Sequence, residues 1–301
     1  MNEFPVFVPS GAEHVACVLT VPDGPPAGLW VLMPGISSPR STHFHFPLWT
    51  EVARRLADRG IASVRLDHVG VGDSTGHIEL LEPGPARVED VLAVTRFAIS
   101  ATGVSRVGMA GSCYGGRLAL ETALRVPECV AAIAAHTAPR VDPAAIGSVR
   151  KLRHRVGRWG PVARLFRTTF GRKVLKPTIG MLLGRNQGPT GQGREPDLEL
   201  RTLVGRARVL FVSGDDEPRY AVRLKPFLDR LLPTLPADLA GRIECQLVPG
   251  SQLGGYMTFA GQMVATDLIV RRAVEDTIGS VDPPPRPAAA PRTPAGQRAD
   301  T

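Results

Sequence analysis

The segment Gly111-Ser112-Cys113-Tyr114-Gly115-Gly116 constrains this chain more than any other stretch of its length. Residues 106–110 before it read as a short apolar strand, and residues 114–124 after it carry helical spacing. A chain passing from strand to helix in so few residues must turn sharply. Such a turn leaves no room for β-carbons two positions before and two positions after its apex. Glycines 111 and 115 stand at those positions, and the apex is Cys113. Its thiol is carried to a helix N-terminus, where the dipole and free N–H groups favour thiolate below the ordinary thiol pKa of about 8.5. The same residues would also suit a glycine-rich turn around an inert cysteine, but the order strand, turn, helix favours the chemical reading.

Strand-like runs alternate with helical periodicity along most of the chain, which predicts an α/β fold: a mostly parallel central sheet with helices on both faces. Strands are expected at 5–8, 14–20, 29–33, 61–66, 106–110, 130–135, 209–212 and 243–248, and helices at 47–59, 88–100, 114–124, 221–232 and 259–274. In the first helix Leu48, Val52 and Leu56 recur at i, i+4, i+8, and Gly60 stops it. The alternation fails after Pro139. Residues 140–200 are therefore expected to be an inserted basic cap, with the core formed by 1–139 and 201–279. The Pro/Ala-rich stretch 280–301 buries too little apolar surface to order itself.

At 301 residues and 43% hydrophobic content the chain suits one enzyme-sized domain with a modest insertion. Its start lacks a basic segment followed by an apolar one, and no run of apolar residues is long enough to span a membrane, so a soluble cytoplasmic protein is expected. The four cysteines (17, 113, 129 and 245) are scattered, without a CxxC pair or histidines at ligand spacing. Reduced thiols are expected, and neither a metal nor another cofactor. The net charge of +8 is concentrated: residues 140–185 hold twelve basic residues and one acid, Asp142. An acidic partner should therefore meet that segment, and no recognised motif points to nucleic acid.

Two further segments make a resemblance specific. Asp67-His68-Val69-Gly70-Val71-Gly72-Asp73-Ser74 has the form D-x-x-G-x-G-x-S, and Pro34-Gly35-Ile36 ends the third expected strand. Together with the turn at Cys113 they resemble the α/β-hydrolase family over residues 3–275, with proline in place of the family's histidine at position 34. A cysteine at the turn is similar to that of dienelactone hydrolases and polyhydroxyalkanoate synthases, which work through thioester intermediates. The resemblance implies an oxyanion hole from the backbone N–H groups of Tyr114 and Ile36. It implies a triad acid in the loop Ser213-Gly214-Asp215-Asp216-Glu217, at Glu217 with Asp216 close behind; the same acids would also suit a helix cap. Gly35, His43, His68 and Leu253 are expected at the substrate site.

The family's histidine is missing. Leu253 holds its position after the last strand, and all seven histidines (14, 43, 45, 68, 77, 136 and 154) precede the acid loop. His136, directly after the strand that follows the Cys113 helix, is the strongest substitute; His68, His43 and His45 lie in other loops on that side. A serine without a base would be nearly inert, whereas a cysteine is already partly thiolate. Losing the base harms attack by water more than attack by an amine or thiol. The expectation is therefore an acyltransferase or thioesterase-like enzyme acting on acyl-coenzyme A or an acyl carrier protein, whose phosphates would meet Arg164 and Arg167 of the cap. A cap helix that merely solvates those arginines is the plainer reading of the same segment. The alternative function is a non-hydrolytic relative that binds a ligand or a partner.

Overall fold

The computed structural model describes residues 1–35, 47–77, 85–137, 196–215, 220–248 and 259–279. Strands β1 (Asn2–Ser10) and β2 (Glu13–Val21) form a hairpin, closed by Gly11 at φ +61° and paired from Asn2↔Val21 to Ser10↔Glu13. Both are longer than expected. Pro5 and Pro9 weaken the strand pattern of β1, but β1 is the sheet's edge, where one side of the backbone needs no partner and proline is tolerated.

The remaining strands are β3 (Leu29–Met33), β4 (Ala62–Leu66), β5 (Val107–Ser112), β6 (Cys129–Ala135), β7 (Arg208–Gly214) and β8 (Ile243–Val248). The order across the sheet is β1-β2-β4-β3-β5-β6-β7-β8. β2 meets β4 antiparallel, and every pair from β4 to β8 is parallel. Parallel strands covered on both faces should be apolar throughout, and β3, β4 and β5 are buried at every position.

Successive side chains of a strand point to opposite faces, so each strand serves two cores. Leu29, Val31 and Met33 join Val64, Val107 and Met109 under α2 (Pro85–Thr102) and α3 (Tyr114–Ala123). Trp30 and Leu32 join Ala110, Ile133 and Leu210 under α1 (Leu48–Ala57) and the last helix. Each buried Val, Leu, Ile or Met among them contributes about 1.5–3 kcal/mol by leaving water.

Two helical segments depart from expectation. Helix α4 (Pro196–Val204) begins inside the stretch 140–200 read as a cap, and its Leu200, Leu203 and Val204 pack into the first core. Its opening Leu198-Glu199-Leu200 alternates like a strand, which hid the i, i+3, i+4 spacing of the buried residues. Residues 220–234 form a wide π turn (Tyr220–Leu224) leading into α5 (Lys225–Leu231), then a 3-10 turn (Leu232–Thr234), where one helix over 221–232 was expected. Pro226 has no N–H to return to residue 222, so a regular helix cannot run through it. The rest of the expected cap and the 280–301 tail lie outside the described residues.

A short helix, α6 (Ala237–Ala240), precedes β8, and α7 (Phe259–Ile278) closes the described chain. Its last turns are fastened below the sheet. Trp30 Nε1 donates to Thr277 Oγ1 at 2.9 Å, Arg106 donates to the Asp276 carbonyl at 2.9 Å, and Arg272 pairs with Asp276 at 2.7 Å. The opposite, carboxyl ends of the strands are thereby left for loops. No helix among the described residues is long and apolar enough to cross a membrane.

Candidate active site

β5 ends at Ser112 and α3 begins at Tyr114, so Cys113 alone makes the turn, with φ +53° and ψ −113°. The glycines around it are sterically required. A β-carbon on Gly111 would lie 2.3 Å from the Gly115 backbone, and one on Gly115 would lie 2.2 Å from the Met33 carbonyl oxygen. Gly116 is equally confined, 2.5 Å from the Thr137 hydroxyl by the same measure. The Cys113 N–H donates to the Ala135 carbonyl at 2.9 Å, while its own carbonyl accepts the Arg117 N–H and the Thr137 hydroxyl. The side chain is only half-buried. The N–H of Tyr114 lies in the first turn of α3, where no helical carbonyl precedes it.

By contrast, burial pushes the Cys129 thiol up to about 12 and the Cys245 thiol up to about 11. Both thiols remain protonated at neutral pH. Among the described residues no three of His, Cys, Asp and Glu come together in a group that could hold a metal ion.

His136 directly follows β6, which pairs with β5 in the register Ser112↔Ala135. The next residues along the two strands are therefore Cys113 and His136, side by side at the carboxyl end of the sheet. His136 is nearly buried, has φ +50°, and donates its N–H to the Val212 carbonyl at 2.7 Å.

The loop after β4 is tied tightly to its surroundings. The Asp67 carboxylate accepts the Asp73 N–H at 3.0 Å; Ser74 Oγ donates to the Asp67 carbonyl and accepts the Ala16 N–H, both at 2.8 Å. Gly72 takes φ +60° where a β-carbon would lie 2.2 Å from the Asp67 carboxylate, which explains the glycine in the motif. His68, expected at the substrate site, is buried, and its Nε2 lies 2.8 Å from the Pro34 carbonyl. Desolvation lowers its pKa to about 4, outweighing that hydrogen bond and the nearby Asp67 charge. Its ring meets Tyr114 edge-on at 5.0 Å. Burial raises the Tyr114 phenol, whose oxygen has no hydrogen-bond partner among the described residues. Gly35 faces the turn, with the position of its absent β-carbon 3.7 Å from Cys113 Cβ.

Cys113, Tyr114, Gly35, His68 and His136 thus come together at one end of the sheet. Ile36, His43, Asp216, Glu217, Leu253, Arg164 and Arg167 lie outside the described residues, as does His45. Thr137 and Gly116, which brace the turn, were not singled out from sequence. The signal for Gly116 was its place beside Gly115; nothing local marks Thr137.

The chain matches the family model described as alpha/beta hydrolase fold over residues 31–223. No curated protein matches it. Among solved structures it is similar to DcsB in complex with its substrate analogue, at 14% identity and TM-score 0.62, covering 92% of this chain and 100% of that one. It is also similar to Est1E from Butyrivibrio proteoclasticus with bound ferulic acid, at 18% identity and TM-score 0.58, covering 91% and 100%. A proline iminopeptidase from Mycobacterium smegmatis aligns at 18% identity and TM-score 0.56, covering 91% and 99%. At these identities the structures speak for the fold alone. The strand order, the strained strand-to-helix turn and the match over most of the chain agree: this protein belongs to the α/β-hydrolase fold family.

Proposed function

We propose that the protein is an acyl-transfer enzyme in which Cys113 takes an acyl group from a thioester and passes it to an amine or thiol acceptor, with water as a slower acceptor. The backbone of Cys113 carries this reading. A non-glycine residue at φ +53° costs about 1–3 kcal/mol and persists only where its surroundings over-determine it. Here those surroundings are Gly111, Gly115, Gly116, Ala135 and Thr137, and they hold a half-buried Cys113 at the start of α3.

In this reading the thiol proton passes to His136. The Cys113 thiolate adds to the thioester carbonyl, and the backbone N–H groups of Tyr114 and Ile36 meet the oxyanion. Collapse breaks the bond to the donor sulfur, which leaves with the proton held by His136. The acceptor then adds to the acyl-Cys113 carbonyl, gives its proton to His136, and releases the Cys113 thiolate. Glu217 or Asp216 would orient His136. Arg164 and Arg167, in a cap formed by the basic residues that precede α4, would meet the phosphates of coenzyme A or of a carrier protein's phosphopantetheine arm. Reduced thiols, as in the cytoplasm, keep Cys113 usable.

Leu253 at the family's histidine position leaves the base role to His136 on the neighbouring strand. A base displaced from the family's position disfavours water more than an amine or thiol, and Leu253 equally supports a second reading as a binding protein without turnover. The test is consumption of a short acyl-coenzyme A with and without an added thiol or amine. Transfer predicts that the acceptor accelerates consumption and that Cys113→Ala abolishes it. Equal rates with and without acceptor would point to plain hydrolysis; no consumption by wild type would favour the binding protein.

A further inference from the structure

We propose that His68 is a positioning residue for the Cys113 site: its imidazole holds the Pro34–Gly35 peptide in place against the turn through one hydrogen bond to the Pro34 carbonyl. The proposal rests on the acyl-enzyme reading of Cys113. A carbonyl only accepts, so at 2.8 Å the Nε2 atom must carry the proton, and the tautomer is fixed.

Pro34 has no N–H, which leaves its carbonyl as its single backbone hydrogen-bonding group. The planar trans peptide directs the following N–H, that of Gly35, opposite to that carbonyl. Fixing the carbonyl therefore fixes the face that Gly35 turns to its neighbours. Gly35 itself lies against the turn: its β-carbon position is 3.7 Å from both Cys113 Cβ and the Ser112 carbonyl oxygen. On the other side α3 leaves no slack, since a β-carbon on Gly115 would lie 2.4 Å from the Pro34 oxygen.

His68 itself is held from every side. The preceding Asp67 N–H donates to the Ala16 carbonyl at 2.9 Å, the Val71 N–H donates to the His68 carbonyl at 2.9 Å, and the ring packs edge-on against Tyr114. One hydrogen bond thus joins the carboxyl ends of β4 and β3 to the turn after β5. A ring so committed is a fixture, not a mobile base. Displacing the Gly35 peptide by about 1 Å is enough to cost on the order of a hundredfold in a reaction that needs aligned donors.

The test compares two reactions of the same thiol in wild type, His68→Phe and His68→Gln. Acylation of Cys113 by acetyl-coenzyme A passes through an oxyanion; alkylation by iodoacetamide does not. The expected result is that His68→Phe slows acylation about 10- to 100-fold with KM little changed, while alkylation stays within about twofold of wild type. His68→Gln, whose amide can donate to the Pro34 carbonyl, should recover most of the loss. Acylation of His68→Phe at the wild-type rate, equal loss of both reactions, or failure of both variants to fold would overturn the positioning role. A wild type that is alkylated but never acylated would instead overturn the acyl-enzyme reading on which this role rests.

Discussion

Cys113 and His136 end adjacent parallel strands at the same level, and they are the two non-glycine residues with positive φ among the described residues, +53° and +50°. The Cys113 N–H reaches the Ala135 carbonyl, and Thr137 returns a hydrogen bond to the Cys113 carbonyl. Two strained residues locked together by their neighbours are what a site requires when it must hold a reactive group still.

Replacing His136 separates strain from chemistry. His136→Gly removes the imidazole and also the penalty of a side chain at φ +50°, so stability should hold or rise by about 1 kcal/mol in urea unfolding. The acyl adduct should still form on Cys113, while release to an acceptor falls at least about 100-fold. Turnover at the wild-type rate would remove His136 from the reaction.

Glycines 115 and 35 should respond in opposite ways to alanine. Gly115→Ala drives a β-carbon to 2.2 Å from the Met33 oxygen, so overpacking should cost about 1–3 kcal/mol or more, read as a lowered urea midpoint. Gly35→Ala makes only ordinary contacts at 3.7 Å and should unfold within about 0.5 kcal/mol of wild type. It places a methyl group beside Cys113, however, and should raise KM for bulky acyl donors. A stable Gly115→Ala protein would show that the turn relaxes more easily than its geometry implies.

The burial of His68 gives stability a pH dependence of definite sign. Its folded pKa is about 4, below the unfolded value of about 6.5, so between these values the unfolded chain binds more protons. The contribution is fully present above about pH 6.5 and is lost as pH falls toward 4. At pH 4.5 wild type should have lost about 2–3 kcal/mol relative to pH 7.5, beyond any loss in His68→Gln. Parallel urea curves for the two proteins at both pH values check this; an equal loss in both would contradict it.

The fastening of α7 predicts a stability effect far from the site. Thr277→Val leaves the buried Trp30 Nε1 donor without its acceptor and should cost about 1–3 kcal/mol, with acylation of Cys113 unchanged. A thermal melt and an acylation rate on the same variant separate the two.

The succession of strands and helices, the mostly parallel sheet and the turn at Cys113 were legible because each depends on local pattern: buried runs, helical spacing, and glycines where β-carbons cannot fit. What escaped depends on contacts distant in sequence. Pro5 and Pro9 look like strand breakers until β1 is known to be the edge. The spacing Leu200, Leu203, Val204 becomes meaningful only beside the core it fills. His68 resembles any polar loop histidine until Pro34, many residues earlier, is placed against its Nε2. Thr137 likewise acquires its role from Cys113 on the neighbouring strand.

The central claim is that Cys113 becomes acylated. Intact-mass and peptide-mapping spectrometry after incubation with an activated acyl thioester tests it most directly. Wild type should gain one acyl group on the peptide bearing Cys113, and Cys113→Ala should gain none. An unmodified wild-type Cys113, or an equal adduct in the alanine variant, would contradict the account.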